Sequence, residues 1–216
     1  MTALMYFGCN VTFASLPVFL PTILNEIGAF TRVQAQGLTA PPYVFCFIII
    51  ISSAFLSDKV RNRGWFVAGN AFIAAIGFLI MALTSKTSVR YFAIFLCSLI
   101  FVSVALILAW VANNSGTDSK RAGGLWILAT GGQCGPILGT RVFPTSQGPY
   151  YREGMWVCCA FCFLVFALAL TLSLLLRREN RRRDRVYGKG TGVDAFDENV
   201  DAGELGDDAP TFRYVC

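Results

Sequence analysis

Two long stretches without a single acidic or basic residue constrain the fold of this chain more than any other feature. No Asp, Glu, Lys or Arg occurs between Arg63 and Lys86, or between Glu153 and Arg177. A helix that crosses a bilayer needs about 20 predominantly apolar residues, and helices of soluble proteins rarely stay uncharged on every face over that length. The chain is therefore predicted to be an integral membrane protein, embedded in a lipid bilayer.

Charge-free stretches of this kind occur six times, which predicts an all-α fold with six transmembrane helices. The expected spans cover residues 3–24, 40–57, 65–85, 91–111, 122–140 and 154–176. The second span is expected to be entered through Pro41 and Pro42. The first begins so close to Met1 that the chain is expected to start within a spanning helix.

The basic residues are divided unequally between the two sides of the membrane that these spans define. The larger group comprises Lys59, Arg61, Arg63, Lys120, Arg121, Arg177, Arg178, Arg181, Arg182, Arg183 and Arg185. The smaller group comprises Arg32, Lys86, Arg90, Arg141 and Arg152. Connections rich in Lys and Arg stay in the cytoplasm. The larger group is therefore expected on the cytoplasmic side, and with six spans both termini lie there too.

The last part of the chain differs in composition from the rest. Residues 194–208 contain seven acidic residues and no Lys or Arg, so this stretch has little apolar surface to bury. We expect one domain over residues 1–187 and a disordered acidic cytoplasmic tail over 188–216. The basic cluster before the tail fixes the topology, and binding of anionic lipid is its alternative role.

The cysteines give no support for an enzyme or a metalloprotein. Seven of the eight lie within apolar stretches, where cysteine behaves as a small packing residue. Cys159 and Cys162 form a C-x-x-C pair, but the chain has no His to complete a metal site and no cluster of acids for acid–base catalysis. We expect no cofactor, no metal, no nucleic-acid partner and no enzymatic activity.

The connection between the second and third spans carries a recognisable motif. Its residues 54–63, AFLSDKVRNR, resemble the cytoplasmic signature of the major facilitator superfamily, G-x-L-A-D-R-x-G-R-R. Leu56, Asp58, Lys59 and Arg63 match that signature, whereas Arg61 stands where glycine is usual. A carboxylate at a helix end can pair with a neighbouring cation and a helix amino terminus. Asp58, Lys59 and Arg63 are therefore candidate gating residues, with a solvated loop as the alternative.

Six further segments sharpen this resemblance, and all lie near the ends of predicted spans. They are residues 19–23, 36–43, 90–93, 110–114, 120–122 and 179–180. Together they resemble the fungal allantoate permease branch of the anion:cation symporter family, over residues 1 to about 187. The resemblance implies the seventh to twelfth helices of a twelve-helix plasma-membrane carrier for small organic anions such as allantoate, nicotinate or pantothenate. It also implies a partner, either the missing amino-terminal six-helix half or a second copy.

Three polar residues within the spans are candidates for substrate contact. Asn10 and Gln133 lie near the middle of the first and fifth spans, and Tyr43 lies in the outer half of the second. A polar group at that depth is costly unless it has a partner. The resemblance supports a cavity position for all three. The alternative for Asn10 and Gln133 is a hydrogen bond to a neighbouring helix.

Small residues in the fifth span predict a close helix contact. Gly131, Gly135 and Gly139 follow each other at intervals of four and should share one helical face. Such a face lets two backbones approach closely in lipid. We expect a packing seam along it.

The spans contain no Asp, Glu, Lys, Arg or His at depth. A proton-coupled anion carrier needs a protonatable group on the pathway and a cation to meet the anion. If the whole transporter is a proton symporter, both groups are expected to come from the missing half. A truncated, non-transporting membrane protein is the alternative.

Overall fold

The computed structural model describes residues 1–28, 31–147, 150–187 and 212–216. Within these residues the chain forms α-helices, one short 3₁₀ turn (Thr145–Gln147) and no strand. The helices are α1 (Thr2–Gly28), α2 (Arg32–Val60), α3 (Arg63–Leu83), α4 (Thr87–Cys97), α5 (Ile100–Asn113), α6 (Asp118–Gly132), α7 (Gly135–Gly139) and α8 (Arg152–Tyr187).

These helices account for the six predicted spans, and the predicted all-α fold is confirmed. Four stretches of the described chain are long and apolar enough to cross a bilayer: Val33–Val60, Arg63–Leu83, Thr87–Asn113 and Arg152–Val186. The first span corresponds to α1, which has 27 residues. The fourth span consists of α4 followed by α5, and the fifth of α6 followed by α7.

The second span begins earlier than the sequence predicted, and Pro41 and Pro42 lie inside α2. The early start is stabilised by a capping box, in which the Gln34 amide N–H donates to the Thr31 hydroxyl oxygen and the Thr31 amide N–H donates to the Gln34 side chain. Pro42 cannot donate to the carbonyl four residues before it. That carbonyl, on Leu38, instead accepts a hydrogen bond from the Tyr91 hydroxyl at 3.2 Å.

The fourth span is interrupted at Ser98 and Leu99, where the backbone tightens into 3₁₀-type hydrogen bonds. The amide of Phe101 donates to the Ser98 carbonyl at 3.1 Å. The same carbonyl lies 3.1 Å from the Cys46 sulfur of α2. A neighbouring helix therefore provides a second donor for a backbone group at the interruption, as the apolar surroundings require.

The connections between spans meet at two opposite ends of the bundle. At one end the Arg177 guanidinium donates to the Asn62 side chain at 2.8 Å. At the other, Arg152 donates to the Ser85 hydroxyl at 3.0 Å. We call the first end, formed by residues 58–64, 112–121 and 177–187, the basic end. The connections that the sequence assigned to one side of the membrane are those that the structure brings together.

Arg90 organises the end opposite the basic end. Its side chain is almost fully buried and donates to the carbonyls of Met81 and Thr84 at the end of α3. It also donates to the carbonyl of Tyr150 at 3.0 Å, with its guanidinium over that residue's ring. A buried arginine is tolerated here because it bonds carbonyls that a helix end leaves unpaired.

The tightest part of the core lies between α3 and α8. Ala71, Ala74, Ala75 and Phe78 of α3 are fully buried, and Cys158 and Cys162 of α8 also lie in this core. Small side chains let the two backbones come close, which compensates in lipid for the absence of a hydrophobic driving force between helices.

The end of the chain differs from the expected disordered tail. Phe212–Cys216 lie against the basic end, where the Gly64 amide donates to the Cys216 carbonyl oxygen at 3.1 Å. The expectation was wrong for these five residues, because main-chain groups can dock without a large apolar surface. Residues 188–211 of the predicted tail lie outside the described residues.

Candidate functional site

A proline frees one backbone carbonyl in the fifth span, and a side chain of α1 binds it. In a continuous helix the amide of residue 136 would donate to the carbonyl of Gly132. Pro136 has no N–H, and the helix is interrupted at Gln133 and Cys134. The Asn10 side-chain nitrogen donates to the Gly132 carbonyl at 3.1 Å, and Asn10 is only 5% exposed. Asn10 therefore links the two helices at the interruption.

Ser15 makes a similar link one and a half turns further along α1. Its hydroxyl lies 3.1 Å from the carbonyl of Gly139, at the end of α7, and 2.7 Å from the carbonyl of Val11 in its own helix. Asn10 faces Gly132 and Ser15 faces Gly139, so the two helices run parallel. Parallel directions are what the first and fifth of six alternating spans require.

Glycines bring the backbones of α1 and α6–α7 into close approach. A Cβ atom on Gly135 would lie 2.7 Å from the Phe7 carbonyl oxygen, and one on Gly139 would lie 2.5 Å from the Val11 carbonyl oxygen. The contact at Gly132 is equally close, because a Cβ atom added there would lie 2.1 Å from the Tyr6 ring. We call the contact of Gly132, Gly135 and Gly139 with α1 the glycine seam.

Gly131, the first glycine of the predicted seam, does not belong to this close approach. A Cβ on Gly131 would meet only the Ala3 Cβ, at an ordinary 3.8 Å. Helix faces allow spacings of three as well as four residues. Gly132 therefore fits the face of Gly135 and Gly139 as well as Gly131 does, and only the tertiary contact distinguishes them.

The three candidates for substrate contact lie in different surroundings. Asn10 is buried in the glycine seam, whereas Gln133 is exposed beside it, at the interruption between α6 and α7. Tyr43 is half-buried, and its ring packs edge-on against Phe101 with 5.6 Å between the ring centroids. Its hydroxyl is buried, and the described residues provide no hydrogen-bond partner for it. It borders a small cleft whose other lining residues are Leu16, Pro42, Ile94, Ser98 and Phe101.

At the basic end, the motif residues form an ion pair between consecutive helices. Asp58 lies in the last turn of α2, and Arg63 is the first residue of α3. The Arg63 guanidinium donates to the Asp58 carboxylate. The Arg63 side chain is 9% exposed and that of Asp58 57% exposed, so water screens the pair from one side. Lys59 is exposed.

The residue that departs from the signature has an unusual backbone conformation. Arg61 caps α2 with φ 53° and ψ 34°, in the left-handed region. Its amide donates to the Asp58 carbonyl and that of Asn62 to the Ser57 carbonyl, which closes the helix end. Glycine adopts this conformation without steric cost, whereas other residues lose about 1–2 kcal/mol. The usual glycine of the signature therefore has a physical reason, and Arg61 departs from it at a cost.

The Arg63 side chain is buried more deeply than its ion pair with the exposed Asp58 carboxylate explains. Among the described residues, its Nε and Nη1 atoms are buried without a hydrogen-bond partner. Buried polar groups are usually paired, so unpaired nitrogens of a cation need an explanation. Their N–H groups can donate to an additional carboxylate or carbonyl oxygen.

Sequence reasoning placed Asn114 at the end of the fourth span as a helix cap rather than a ligand, and did not foresee the contacts that Asn114 and Asn180 make at the basic end. Asn114 caps α5, and Asn180 lies on the part of α8 that extends beyond the predicted span. Both side chains hydrogen-bond to the main chain of Phe212–Cys216. The only signal in the sequence was that both residues belong to segments of the family resemblance.

Comparison with known proteins identifies fungal transporters. The chain is 32% identical to the MFS-type transporter cnsO of Penicillium expansum, over 96% of this chain and 41% of that protein. It is 31% identical to the high-affinity nicotinic acid transporter of Saccharomyces cerevisiae, over 99% of this chain and 40% of that protein. The major facilitator-type transporter hxnP of Emericella nidulans is 25% identical over 98% of this chain.

The chain spans about 40% of the length of these relatives. The relatives are named as transporters and not as enzymes, in agreement with the sequence-based expectation. No family model and no solved structure matches the chain.

Proposed function

We propose that this chain transports a small organic anion by alternating access. It is homologous over nearly its whole length to fungal transporters of the major facilitator superfamily, and its six spans correspond to half of that fold. The similarity to a nicotinic acid transporter favours a vitamin-like carboxylate, of the allantoate, nicotinate or pantothenate class. The observation that carries this proposal is an alignment that extends over 99% of the chain.

The chain acts in this proposal as the carboxy-terminal half of the transporter, in the allantoate permease branch. Its partner is an amino-terminal six-helix half, with a second copy of this chain as the alternative. The two halves of such transporters are parallel repeats, and the substrate binds between them near the middle of the membrane. The large exposed apolar side chains of α2 and α6, such as Phe47, Phe55 and Trp126, suit a surface covered by that half or by lipid.

We assign the substrate-facing roles to Tyr43 and Gln133, with Asn10 as a positioning residue. An exposed amide and a buried hydroxyl without a described partner are both able to bind a carboxylate. The Asn10 amide nitrogen is already bound to the Gly132 carbonyl, so Asn10 acts by fixing the interruption that presents Gln133.

Asp58, Lys59 and Arg63 form the proposed cytoplasmic gate. In the inward-closed state, the two unpaired nitrogens of Arg63 would bind an acidic or carbonyl group of the other half. The spans contain no titratable acid or base at depth, so we assign proton coupling to the missing half. We place the protein in the plasma membrane, with both termini in the cytoplasm.

Uptake measurements test this proposal. The chain is produced alone, or together with the first six helices of the yeast nicotinic acid transporter, and radiolabelled nicotinate, pantothenate and allantoate are supplied under a proton gradient. We expect uptake of one of these anions only when both halves are present and copurify. Proton-driven uptake by the chain alone would contradict the assignment of coupling to the missing half. A copurifying pair without uptake of any of them would contradict the substrate class.

A further inference from the structure

Two asparagine side chains at the basic end hold the end of the chain by its main chain. The Asn114 amide nitrogen donates to the Val215 carbonyl at 2.9 Å, and the Asn114 oxygen accepts from the Val215 amide at 2.7 Å. Asn180 makes the same pair of bonds with Tyr214, at 2.7 Å and 3.0 Å. Each asparagine side chain therefore binds both the N–H and the C=O of one residue, as a neighbouring β-strand would.

Further contacts hold the same segment. The indole nitrogen of Trp110 donates to the Val215 carbonyl at 2.8 Å, and Trp110 is 1% exposed. The Arg183 guanidinium lies 4.9 Å from the Tyr214 ring centroid, and Arg213 forms an ion pair with Asp184 at 2.8 Å. Most of the hydrogen bonds go to main-chain atoms, whereas Arg183 and Asp184 recognise the side chains of the segment.

The segment connects three helices. Trp110 belongs to the last turn of α5 and Asn114 is the cap of that helix, whereas Asn180 belongs to α8 and the Gly64 amide to the first turn of α3. The bundle packs α5 and α8 each against α3 rather than extensively against each other. The docked segment is therefore a bridge between α5 and α8 at the basic end.

We propose that this clamp of Asn114 and Asn180 is a binding site for an extended peptide, that its ligand is the chain's own segment Phe212–Cys216, and that docking locks the basic ends of α5 and α8 together. The ligand is tethered to α8 by residues 188–211. Docking is intramolecular because the segment and the clamp belong to the same chain, so weak intrinsic binding suffices. If the proposed function is correct, release of the segment frees the cytoplasmic end of α5 to move during transport.

The Cys216 thiol reports directly on docking, because Cys216 is only 8% exposed in the docked segment. The chain in lipid vesicles is treated with a water-soluble maleimide, and modification of Cys216 is followed by mass spectrometry of its peptide. Asn114→Asp and Asn180→Asp keep the shape but place a carboxylate oxygen against a carbonyl. We expect each to raise the modification rate about tenfold, the effect of losing one to two hydrogen bonds. The matched control is Asn113→Asp, one residue from the clamp, which should leave the rate unchanged.

A competition experiment uses the unmodified chain and needs no folded variant. Excess synthetic peptide Phe-Arg-Tyr-Val-Ser should displace the segment and accelerate Cys216 modification, whereas a scrambled peptide should not. Equal rates for the chain and for Asn180→Asp, or equal acceleration by Asn113→Asp, would overturn the proposal. So would failure of the peptide to compete. None of these readouts requires transport, so they can fail or succeed independently of the proposed function.

Discussion

Individual glycines of the fifth span differ in what surrounds them, although the sequence gives them similar positions. Apart from its chain neighbours and the backbone of its own helix, Gly123 of α6 has no atom within 4 Å of the place where a Cβ would lie, whereas Gly135 faces the backbone of α1. One added methyl group is therefore accommodated at the first position and forces two helices apart at the second.

Gly135→Ala should destabilise the protein by about 1–3 kcal/mol, the usual cost of overpacking. Gly123→Ala is the control and should be neutral or stabilising by up to about 1 kcal/mol, because alanine favours the helix. Thermal unfolding of both variants in detergent, followed by size-exclusion chromatography, measures the difference. Equal melting temperatures for the two variants would show that the glycine seam is not a close contact.

Docking of the segment Phe212–Cys216 should depend on pH, because the segment contains the Cys216 thiol. Burial raises the pKa of its thiol, and the nearby Arg177 opposes this shift. A free thiol titrates at about 8.5. Because the docked state favours the protonated thiol, docking is strongest below that pH and weakens as the pH rises through it.

The maleimide reaction should therefore depend on pH differently in the docked and released states. In the Asn180→Asp variant the rate should follow the thiolate fraction and level off above about pH 8.5. In the unmodified chain it should continue to rise above that pH. Superimposable pH profiles for the two proteins would contradict this prediction.

At the scale of helices, two spans are interrupted within the described residues, and in each case a side chain of another helix binds a backbone carbonyl at the interruption. Cys46 of α2 approaches Ser98, and Asn10 of α1 binds Gly132. Backbone groups in a bilayer have no water to bind, so an interruption persists only where protein provides the partner. Interrupted helices of this kind form the binding sites of several transporter folds.

Pro136→Ala restores the amide that α6–α7 lacks. The new N–H should donate to the Gly132 carbonyl, and hydrogen exchange of the amides of residues 134–138 should slow by about tenfold, the effect of one restored backbone hydrogen bond. Pro144→Ala, in the following connection, is the control and should leave these amides unchanged. Unchanged exchange in Pro136→Ala would mean that the missing N–H does not cause the interruption.

The sequence predicted the spans well and their interiors poorly, for a physical reason. Hydropathy is a local property, so the uncharged length of α3 or α8 can be read directly. The start of α2 depended on a cap at Thr31, a local signal that the expected entry through Pro41 and Pro42 overlooked. Which glycine faces α1, and which asparagine binds the docked segment, depends on contacts between residues 34 to 122 positions apart in the chain. No local pattern contains that information.

At the scale of the whole molecule, the threading of six spans determines the side of every connection. An epitope inserted beside Thr145 should be accessible to antibody on intact cells, whereas one inserted between residues 190 and 191 should require permeabilisation. Surface expression of each tagged protein serves as its control. Accessibility of the second epitope on intact cells would reverse the orientation and remove the proposed cytoplasmic gate.

The oxygen that Pro136 leaves unpaired has a consequence for motion. If α1 and α6–α7 separated, the Gly132 carbonyl would be left without a donor in a hydrocarbon environment, and that costs several kcal/mol. The two helices are therefore obliged to travel as one rigid block whenever the protein changes shape. Any hinge within this half has to lie outside that block, and the basic end of α5, which the docked segment Phe212–Cys216 joins to α8, is the natural place for it.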